Sequence, residues 1–161
     1  MVSPAGGYGV ICADYIESQN PRAKLSMARL SPETERRIVR ETLPFASGRN
    51  PVDITASANA AMYGAAMEAL LDDPGVDILI CLGFFSPPAI DDTLVEHSAR
   101  RARAAAKPVI LFTTYGPFTG DYLLRFWREG VVGYPSIFRA VRAARFLVER
   151  KALLETMEAC G

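Results

Sequence analysis

Apolar residues in this chain follow two patterns, short unbroken runs and longer segments with helical spacing. The clearest run covers residues 76–82, V-D-I-L-I-C-L, and its β-branched content predicts a strand buried on both faces of a parallel sheet. A second buried strand is predicted over 108–113. Shorter strands are expected over 25–30, 52–54 and 131–133.

Helix signals lie between these runs. Ser31-Pro32-Glu33 combines a hydroxyl cap, a proline at the first helical position and an acid in the first turn, which predicts a helix that continues to Leu43. Ser57 or Asn59 is expected to begin a helix that ends at Asp72, before D-P-G at 73–75. Further helices are predicted over 10–19, where Asn20-Pro21 ends the helix, and over 90–106, 119–130 and 136–158.

This alternation of strands and helices predicts an α/β fold, with a doubly wound parallel sheet in a three-layer α/β/α arrangement. We favour the flavodoxin-like strand order, in which ligands bind at the carboxyl ends of the strands. The segment M-V-S-P at 1–4 is too short and too proline-bound for a full strand. The first strand is therefore predicted to be truncated, with the chain beginning late in the fold.

Composition excludes several function classes. The chain has 161 residues, which is the size of one domain with its own core. Its 18 basic and 18 acidic side chains give no net charge, so no overall field favours nucleic acid or anionic lipid. A hydrophobic content of 50% excludes intrinsic disorder as the main state. The longest apolar run is too short to cross a bilayer and the start lacks a signal-peptide pattern, so a soluble protein is predicted.

The cysteines are odd in number and widely spaced, at Cys12, Cys81 and Cys160, with no Cys-x-x-Cys pair. This pattern fits neither a disulfide framework nor a zinc site. We therefore predict a reducing, cytoplasmic environment and no metal site.

A glycine-rich segment, Gly6-Gly7-Tyr8-Gly9, directly precedes the first predicted helix. Glycines permit a tight turn, and the unpaired N–H groups at a helix start can bind an anion such as phosphate. The alternative is that these glycines only form the turn from a strand to a helix. A dinucleotide fingerprint is excluded because Cys12 stands where its third glycine would be, and a Walker A loop is absent.

Other chemically active residues have structural interpretations. His97, the only histidine, is interpreted as a solvated helical residue rather than a catalytic one. Asp72-Asp73 is interpreted as a solvated pair at a helix end, and Asp91-Asp92 as acids at a helix start, where they meet the helix dipole favourably. Phe84 and Phe85 follow the central strand, and they either line a ligand pocket or pack into the core.

Four motifs then point to a family. They are A-G-G-x-G-V-x-x-A-D at 5–14, L-S-x-E-T at 30–34, S-x-R-N-P-V-D at 47–53 and L-L-x-D-P-G-V-D at 70–77. Together they resemble the ligase-CoA subdomain of NDP-forming acyl-CoA synthetases, which is similar to the carboxyl-terminal domain of the succinyl-CoA ligase β subunit. The resemblance covers residues 1–150 and leaves 151–161 as a carboxyl-terminal helix extension.

The resemblance implies an enzyme that converts acyl-CoA, NDP and phosphate to acid, CoA and NTP, through an acyl phosphate and a phosphohistidine. The phosphohistidine belongs to another subdomain, and no catalytic residue is assigned to this chain. The matching helix end, which is implied to bind phosphate, would face that phosphohistidine and consists of Gly6, Gly7, Tyr8 and Gly9. Helix N–H groups and the helix dipole suit a phosphoryl charge.

The resemblance also implies a substrate pocket. Where the succinyl enzyme has a Gly-Gly loop associated with its carboxylic acid, this chain has Gly83-Phe84-Phe85. We therefore expect an acyl group with an apolar or aromatic tail. The implied pocket residues are Asn50, Asp53, Gly83, Phe84 and Phe85.

No segment of the chain resembles the family's phosphorylation loop, CoA-binding domain or nucleotide-grasp domain. The resemblance therefore implies partner domains for these sites, in cis or as other subunits, and an isolated chain that is inactive. CoA, nucleotide and magnesium belong to the complete enzyme, and this chain alone is expected to bind no cofactor. A homodimer is also considered, whereas nucleic acid and membrane partners are not expected.

The alternative function is a non-catalytic flavodoxin-like module. Such a module would associate with itself or with a partner domain through a sheet edge that a missing first strand leaves open.

Overall fold

The computed structural model describes residues 1–23 and 25–159, so the prediction for Cys160 lies outside the described residues. The strands are β1 (Val2–Ser3), β2 (Val52–Asp53), β3 (Leu79–Gly83), β4 (Val109–Thr113) and β5 (Gly133–Tyr134). They form one sheet in the order β2-β1-β3-β4-β5, with every pair of neighbouring strands parallel. This is the flavodoxin-like order, and the predicted fold class is confirmed.

Helices cover both faces of the sheet. The helices are α1 (Gly6–Ala23), α2 (Pro32–Glu41), α3 (Ala60–Asp72), α4 (Thr93–Ala104), α5 (Thr119–Arg128) and α6 (Ile137–Ala159), with a 3₁₀ turn at Gly116–Phe118. Helices α1 and α6 contribute to one core, which includes Ile80 and Phe112, and the other helices contribute to a second core, which includes Leu79 and Leu111. Adjacent strand residues therefore enter different cores, as the alternation of a pleated strand requires.

The centre of the sheet is the pairing of β3 with β4. Five residue pairs join these strands, from Leu79↔Val109 to Gly83↔Thr113. All five residues of β3 are buried, which confirms the prediction of a strand covered on both faces. The helix starts at Ser31 and Asn59 are also confirmed, because each side chain accepts a hydrogen bond from a backbone N–H three residues ahead.

The first strand forms despite its two-residue length. Val2 is fully buried and pairs with Val52 on one side and Cys81 on the other. The strand β1 therefore lies inside the sheet, between β2 and β3, and the edges of the sheet are β2 and β5. The alternative function predicted an open sheet edge at this position, and that prediction is wrong.

Two predictions near the start of the chain are wrong. Helix α1 begins at Gly6 rather than Val10 and continues through Asn20-Pro21 to Ala23. A proline in the last turn of a helix removes one hydrogen bond only, so it does not end the helix here. Residues 25–30 form no strand, and the Ala28 carbonyl accepts its hydrogen bond from the Asn50 side chain at 2.9 Å.

Near the other end of the chain, the predicted bounds of the last strand are wrong, because β5 begins at Gly133 rather than at residue 131.

The Asp72-Asp73 pair is not uniformly solvated, because Asp73 is only 2% exposed. Its carboxylate accepts hydrogen bonds from the backbone N–H of Ser31 at 2.9 Å and of Gly75 at 2.8 Å. Burial alone would raise the pKa of Asp73, but the hydrogen bonds outweigh burial and lower the pKa below its usual value. Asp73 thus joins the start of α2 to the end of α3.

Within the described residues, every helix is too short or too polar to span a lipid bilayer.

The variant Tyr63→Phe tests a contact between α3 and the central strand. The Tyr63 hydroxyl is buried and donates a hydrogen bond to the Leu82 carbonyl at 2.6 Å. Its removal leaves a buried carbonyl with one partner fewer, so the free energy of unfolding is expected to fall by about 1–3 kcal/mol. Chemical denaturation followed by circular dichroism measures the change. The control is Tyr134→Phe, at a half-buried position, which should change the free energy of unfolding by less than about 0.5 kcal/mol. Equal losses in both variants would contradict a stabilising role for the hydrogen bond between Tyr63 and Leu82.

The variant Asp73→Asn tests the pH dependence of stability. At neutral pH it is expected to lower the free energy of unfolding by about 1–3 kcal/mol, because an amide replaces a hydrogen-bonded carboxylate. The folded-state pKa of Asp73 lies below the unfolded one, so its stabilisation is present at neutral pH and is lost as the pH falls through the folded-state pKa. Urea unfolding from about pH 7 to pH 3 should therefore show the two proteins converging. Asp72→Asn, at an exposed carboxylate, is the control, and a difference that stays constant with pH would refute the prediction.

Candidate functional site

The turn from β1 into α1 is held by a single hydroxyl. The Ser3 Oγ accepts a hydrogen bond from the Ala5 N–H at 2.9 Å and donates one to the Ala5 carbonyl at 2.8 Å. The Tyr8 N–H also donates to the Ala5 carbonyl, at 3.1 Å. Gly6, Gly7 and Gly9 therefore form the first turn of the helix itself, at the carboxyl edge of the sheet, rather than a loop before it.

The open donors at this helix end belong to Gly6 and Gly7. In the described part of the chain, no group accepts a hydrogen bond from the N–H of either residue. The first N–H groups of a helix have no partner within the helix, and α1 is 18 residues long, so its dipole adds partial positive charge at this end. The arrangement can stabilise an anion.

The two sides of this helix end differ. A Cβ at Gly6 would lie 2.4 Å from Asp53 Oδ2, and a Cβ at Gly9 would lie 3.0 Å from the Pro51 ring. The close approach of Asp53 and Pro51 therefore favours glycine at both positions. At Gly7, by contrast, a Cβ would meet no atom within 4 Å, so this side of the helix end is open.

Asp53 is a fixed neighbour of the helix end. Its Oδ1 accepts a hydrogen bond from the Thr55 N–H at 2.9 Å, and Thr55 has the left-handed φ of 66°. A carboxylate beside a helix amino terminus is favourable. The predicted phosphate-binding residues and Asp53 are therefore neighbours in the structure.

The loop after β3 sends its two aromatic residues to opposite faces of the sheet. Phe84 is half-buried, and its ring centroid lies 6.2 Å from that of Tyr8, on the α1 side. Phe85 is only 6% exposed and enters the other core. There its ring lies so close to Gly83 that a Cβ on this glycine would be 3.2 Å from the Phe85 Cε2. Phe85 thus packs into the core, and Phe84 is the aromatic residue of this loop that lies near the glycine turn.

Asn50 does not lie with the other predicted pocket residues. It precedes β2, whereas Asp53 ends that strand, so Asn50 belongs to the amino edge of the sheet. Its side chain accepts a hydrogen bond from the Met1 nitrogen at 2.7 Å and donates one to the Ala28 carbonyl at 2.9 Å. These bonds connect backbone segments, which is a structural role.

A cluster around Tyr122 covers Phe85. The two rings stack with centroids 3.7 Å apart, and the Tyr122 hydroxyl donates to Asp92 at 2.7 Å. Burial, together with that hydrogen bond, raises the pKa of Tyr122 to about 12. Arg125 also donates to Asp92, and this bond, with the one from Tyr122, holds the pKa of Asp92 below its usual value. The sequence gives no local signal for this cluster, since its members come from three separate segments.

His97 is half-buried on α4, and its Nδ1 is buried without a hydrogen-bond partner among the described residues, so the prediction of a solvated histidine is wrong. Over residues 1–23 and 25–159, no three His, Cys, Asp or Glu side chains are close enough to hold a metal ion. The magnesium of the predicted reaction therefore has no cluster of such ligands in this part of the chain.

These features define a class of protein, a flavodoxin-like α/β domain with open backbone donors where its first strand turns into its first helix. A model of the ligase-CoA domain family matches residues 1–150. The chain belongs to the ligase-CoA domain family, as its four motifs predict.

Similar proteins agree with this assignment. The chain is 35% identical over 155 residues to the alpha subunit of acetate–CoA ligase [ADP-forming] II from Pyrococcus furiosus, covering 93% of this chain and 33% of that subunit. The crystal structure of PH0766 from Pyrococcus horikoshii OT3 matches with a TM-score of 0.79 at 28% identity, over 92% of this chain and 34% of that one.

A further structure shares the fold at lower identity. It is acetyl-coenzyme A synthetase 1 of Ca. Korarchaeum cryptofilum in complex with phosphate and ADP, with a TM-score of 0.81 at 22% identity, over 99% of this chain and 34% of that one. The chain thus spans about one third of the length of the relatives it matches.

Alanine variants test the two sides of the helix end. Gly6→Ala is expected to lower the free energy of unfolding by about 1–3 kcal/mol, because its methyl group would overlap a carboxylate that Thr55 holds in place. Gly7→Ala meets no atom and removes a glycine from a helix, so it should be neutral or stabilising by up to about 1 kcal/mol. Urea denaturation measures both. Combining Gly6→Ala with Asp53→Ala should recover stability, and equal effects of the two glycine variants would contradict the geometry.

Proposed function

We propose that this chain is the ligase-CoA subdomain of an NDP-forming acyl-CoA synthetase, and that the amino end of α1 stabilises a phosphoryl group carried by another subdomain. The observation that carries the proposal is the pair of unpartnered N–H groups at Gly6 and Gly7, with open space beside Gly7. Membership of the ligase-CoA domain family and similarity to the alpha subunit of an ADP-forming acetate–CoA ligase support the proposal that the chain is part of such an enzyme.

The chemical role proposed for this end of α1 is electrostatic. A phosphoryl oxygen reaches backbone N–H groups only where no side chain is in the way, and Gly7 leaves that approach open. The N–H groups and the helix dipole are fixed before the phosphoryl group arrives, so they stabilise its charge without reorganisation. The proposed role needs no nucleophile from this chain, and the transferred group stays bonded to its carrier or moves to a substrate on a partner domain.

Asp53 affects how tightly such a site holds its ligand. Its carboxylate lies against Gly6 and repels a second anion at the same helix end. Free phosphate should therefore bind weakly, whereas a phosphoryl group that a protein loop presents does not depend on high affinity. Weak binding suits a transfer site, because the group must leave again.

CoA and the nucleotide that takes part in the reaction are proposed to bind to partner domains, in cis or as other subunits. The relatives are about three times as long as this chain. Apolar side chains along α6 lie exposed and would suit contact with such domains: Phe138, Phe146, Leu147, Leu153, Leu154 and Met157. Among the predicted pocket residues, we propose that Phe84 contacts the acyl group, because its ring lies near the glycine turn, 6.2 Å from that of Tyr8.

The variant Gly7→Ala in the complete enzyme tests the phosphoryl role. The chain carries an affinity tag in its source cell, the native assembly is purified, and NTP formation from acyl-CoA, NDP and phosphate is measured. The added methyl group blocks the approach to the helix end, so kcat is expected to fall about 10²-fold, the size of the effect of losing one oxyanion donor.

The matched control is Gly120→Ala. Gly120 is also the second residue of a helix, in α5, and a Cβ there meets no atom within 4 Å. It should leave the activity unchanged. Full activity of Gly7→Ala would overturn the phosphoryl role, and a purified assembly without NTP-forming activity would favour the non-catalytic module.

A further inference from the structure

We infer that this chain has a second binding site, for an organic phosphate, in a groove between α2 and the loop that precedes β2. We call it the arginine groove. Its volume of about 820 Å³ lies within the range of ligand pockets, about 300–1,000 Å³. It shares no residue with the α1 end. The groove is lined by Pro32, Glu35, Arg36, Val39, Arg40, Ala46, Ser47, Gly48 and Arg49.

The two walls of the groove are fixed against each other. A Cβ at Gly48 would lie 2.4 Å from the Glu35 carbonyl oxygen and 3.1 Å from the Glu35 Cα, so the loop backbone packs directly on α2. Ser47 exchanges two backbone hydrogen bonds with Asp53, at 2.8 and 3.2 Å, which fastens the loop to β2. The groove is therefore formed before a ligand arrives, and binding needs little ordering of the backbone.

Charge in the groove favours an anion. Arg36, Arg40 and Arg49 line it together with one carboxylate, Glu35, whereas the Glu33 and Glu41 carboxylates that pair with Arg36 and Arg40 lie outside the lining. Over the whole chain, by contrast, basic and acidic side chains balance. Guanidinium groups bind phosphate through paired N–H donors, and three of them around one concave surface suit a ligand with more than one phosphate.

The arginines are available to a ligand. Arg36 contacts Glu33 at 2.9 Å and Arg40 contacts Glu41 at 3.6 Å, but both arginine side chains are largely exposed, at 68% and 63%. Such surface pairs are weak and exchange readily. In the described part of the chain, Arg49 forms no ion pair.

Apolar surface in the same groove indicates an organic ligand rather than inorganic phosphate. Val39 is exposed at the outer face of α2, and Pro32 and Ala46 extend this surface across the groove. Phe45, the residue before Ala46, is 67% exposed. A nucleotide combines the two required parts, a planar ring for the apolar surface and a polyphosphate for the guanidinium groups.

Isothermal titration calorimetry of the 161-residue chain tests the site, with ADP as the probe because it joins a ring to a polyphosphate. Adenosine supplies the ring alone and pyrophosphate the charge alone. ADP should bind with a lower Kd than either, and the Kd should rise with salt. If pyrophosphate binds as tightly as ADP, the assignment of an organic ligand is wrong, and absence of ADP binding up to about 10 mM overturns the site altogether.

Paired variants place the binding in the groove. Arg40→Gln combined with Arg49→Gln should raise the Kd for ADP about tenfold or more, because it removes two charge-assisted contacts. The control combines Arg128→Gln with Arg150→Gln, two exposed arginines on α5 and α6, and changes the net charge equally. Thermal melting by circular dichroism shows that each variant folds. Equal ADP affinity in the two double variants would overturn the proposal.

The variant Gly7→Ala separates this site from the α1 end. It should leave ADP binding to the groove unchanged, since Gly7 does not line it. Loss of ADP binding in Gly7→Ala, with binding retained in the Arg40→Gln and Arg49→Gln double variant, would assign the ADP to the helix end and refute the groove. The proposed phosphoryl role does not depend on the outcome, because it is measured as activity of the assembly.

Discussion

Parallel pairing between β3 and β4 is the interaction on which the rest of the structure depends. Five consecutive pairs join β3 to β4, and a strand whose residues are all buried is stable only when helices shield both of its faces from water. The two helical layers follow from this requirement. Because all strands run in one direction, their carboxyl ends lie along one edge of the sheet, and the glycine turn, Asp53 and the loop at Phe84 meet there.

Local signals explain which elements the sequence predicts well. Ser31 and Asn59 cap helices through hydrogen bonds to residues three positions ahead, and the run at 76–82 contains its own burial pattern. Elements that depend on distant partners are predicted less well. Residues 25–30 have the composition of a strand, but they pair with no strand, and the Ala28 carbonyl bonds the Asn50 side chain instead. Asp73 is buried because α2 packs beside it.

The candidate site shows the same division. The glycine turn is visible in the sequence, whereas the contact of Gly6 with Asp53 needs β1 and β2 to pair side by side. The motif N-P-V-D at 50–53 contains two polar residues, and their closeness in the sequence suggests that they belong to one site. Asp53 ends β2 and Asn50 lies two residues before that strand begins, so the two residues belong to opposite edges of the sheet. Adjacent Phe84 and Phe85 are also divided, because the loop after β3 places Phe84 against the core on the α1 side and Phe85 in the other core.

The shortness of β1 has a consequence for where the helix end stands in space. Only Pro4 and Ala5 separate this strand from Gly6, and a strand advances about 3.3 Å per residue. A slip of one residue in the pairing of Val2 would therefore displace the open N–H groups by more than the length of a hydrogen bond. It would also turn the Val2 side chain away from its core. The burial of Val2 therefore fixes the distance along the chain at which the backbone donors of Gly6 and Gly7 stand.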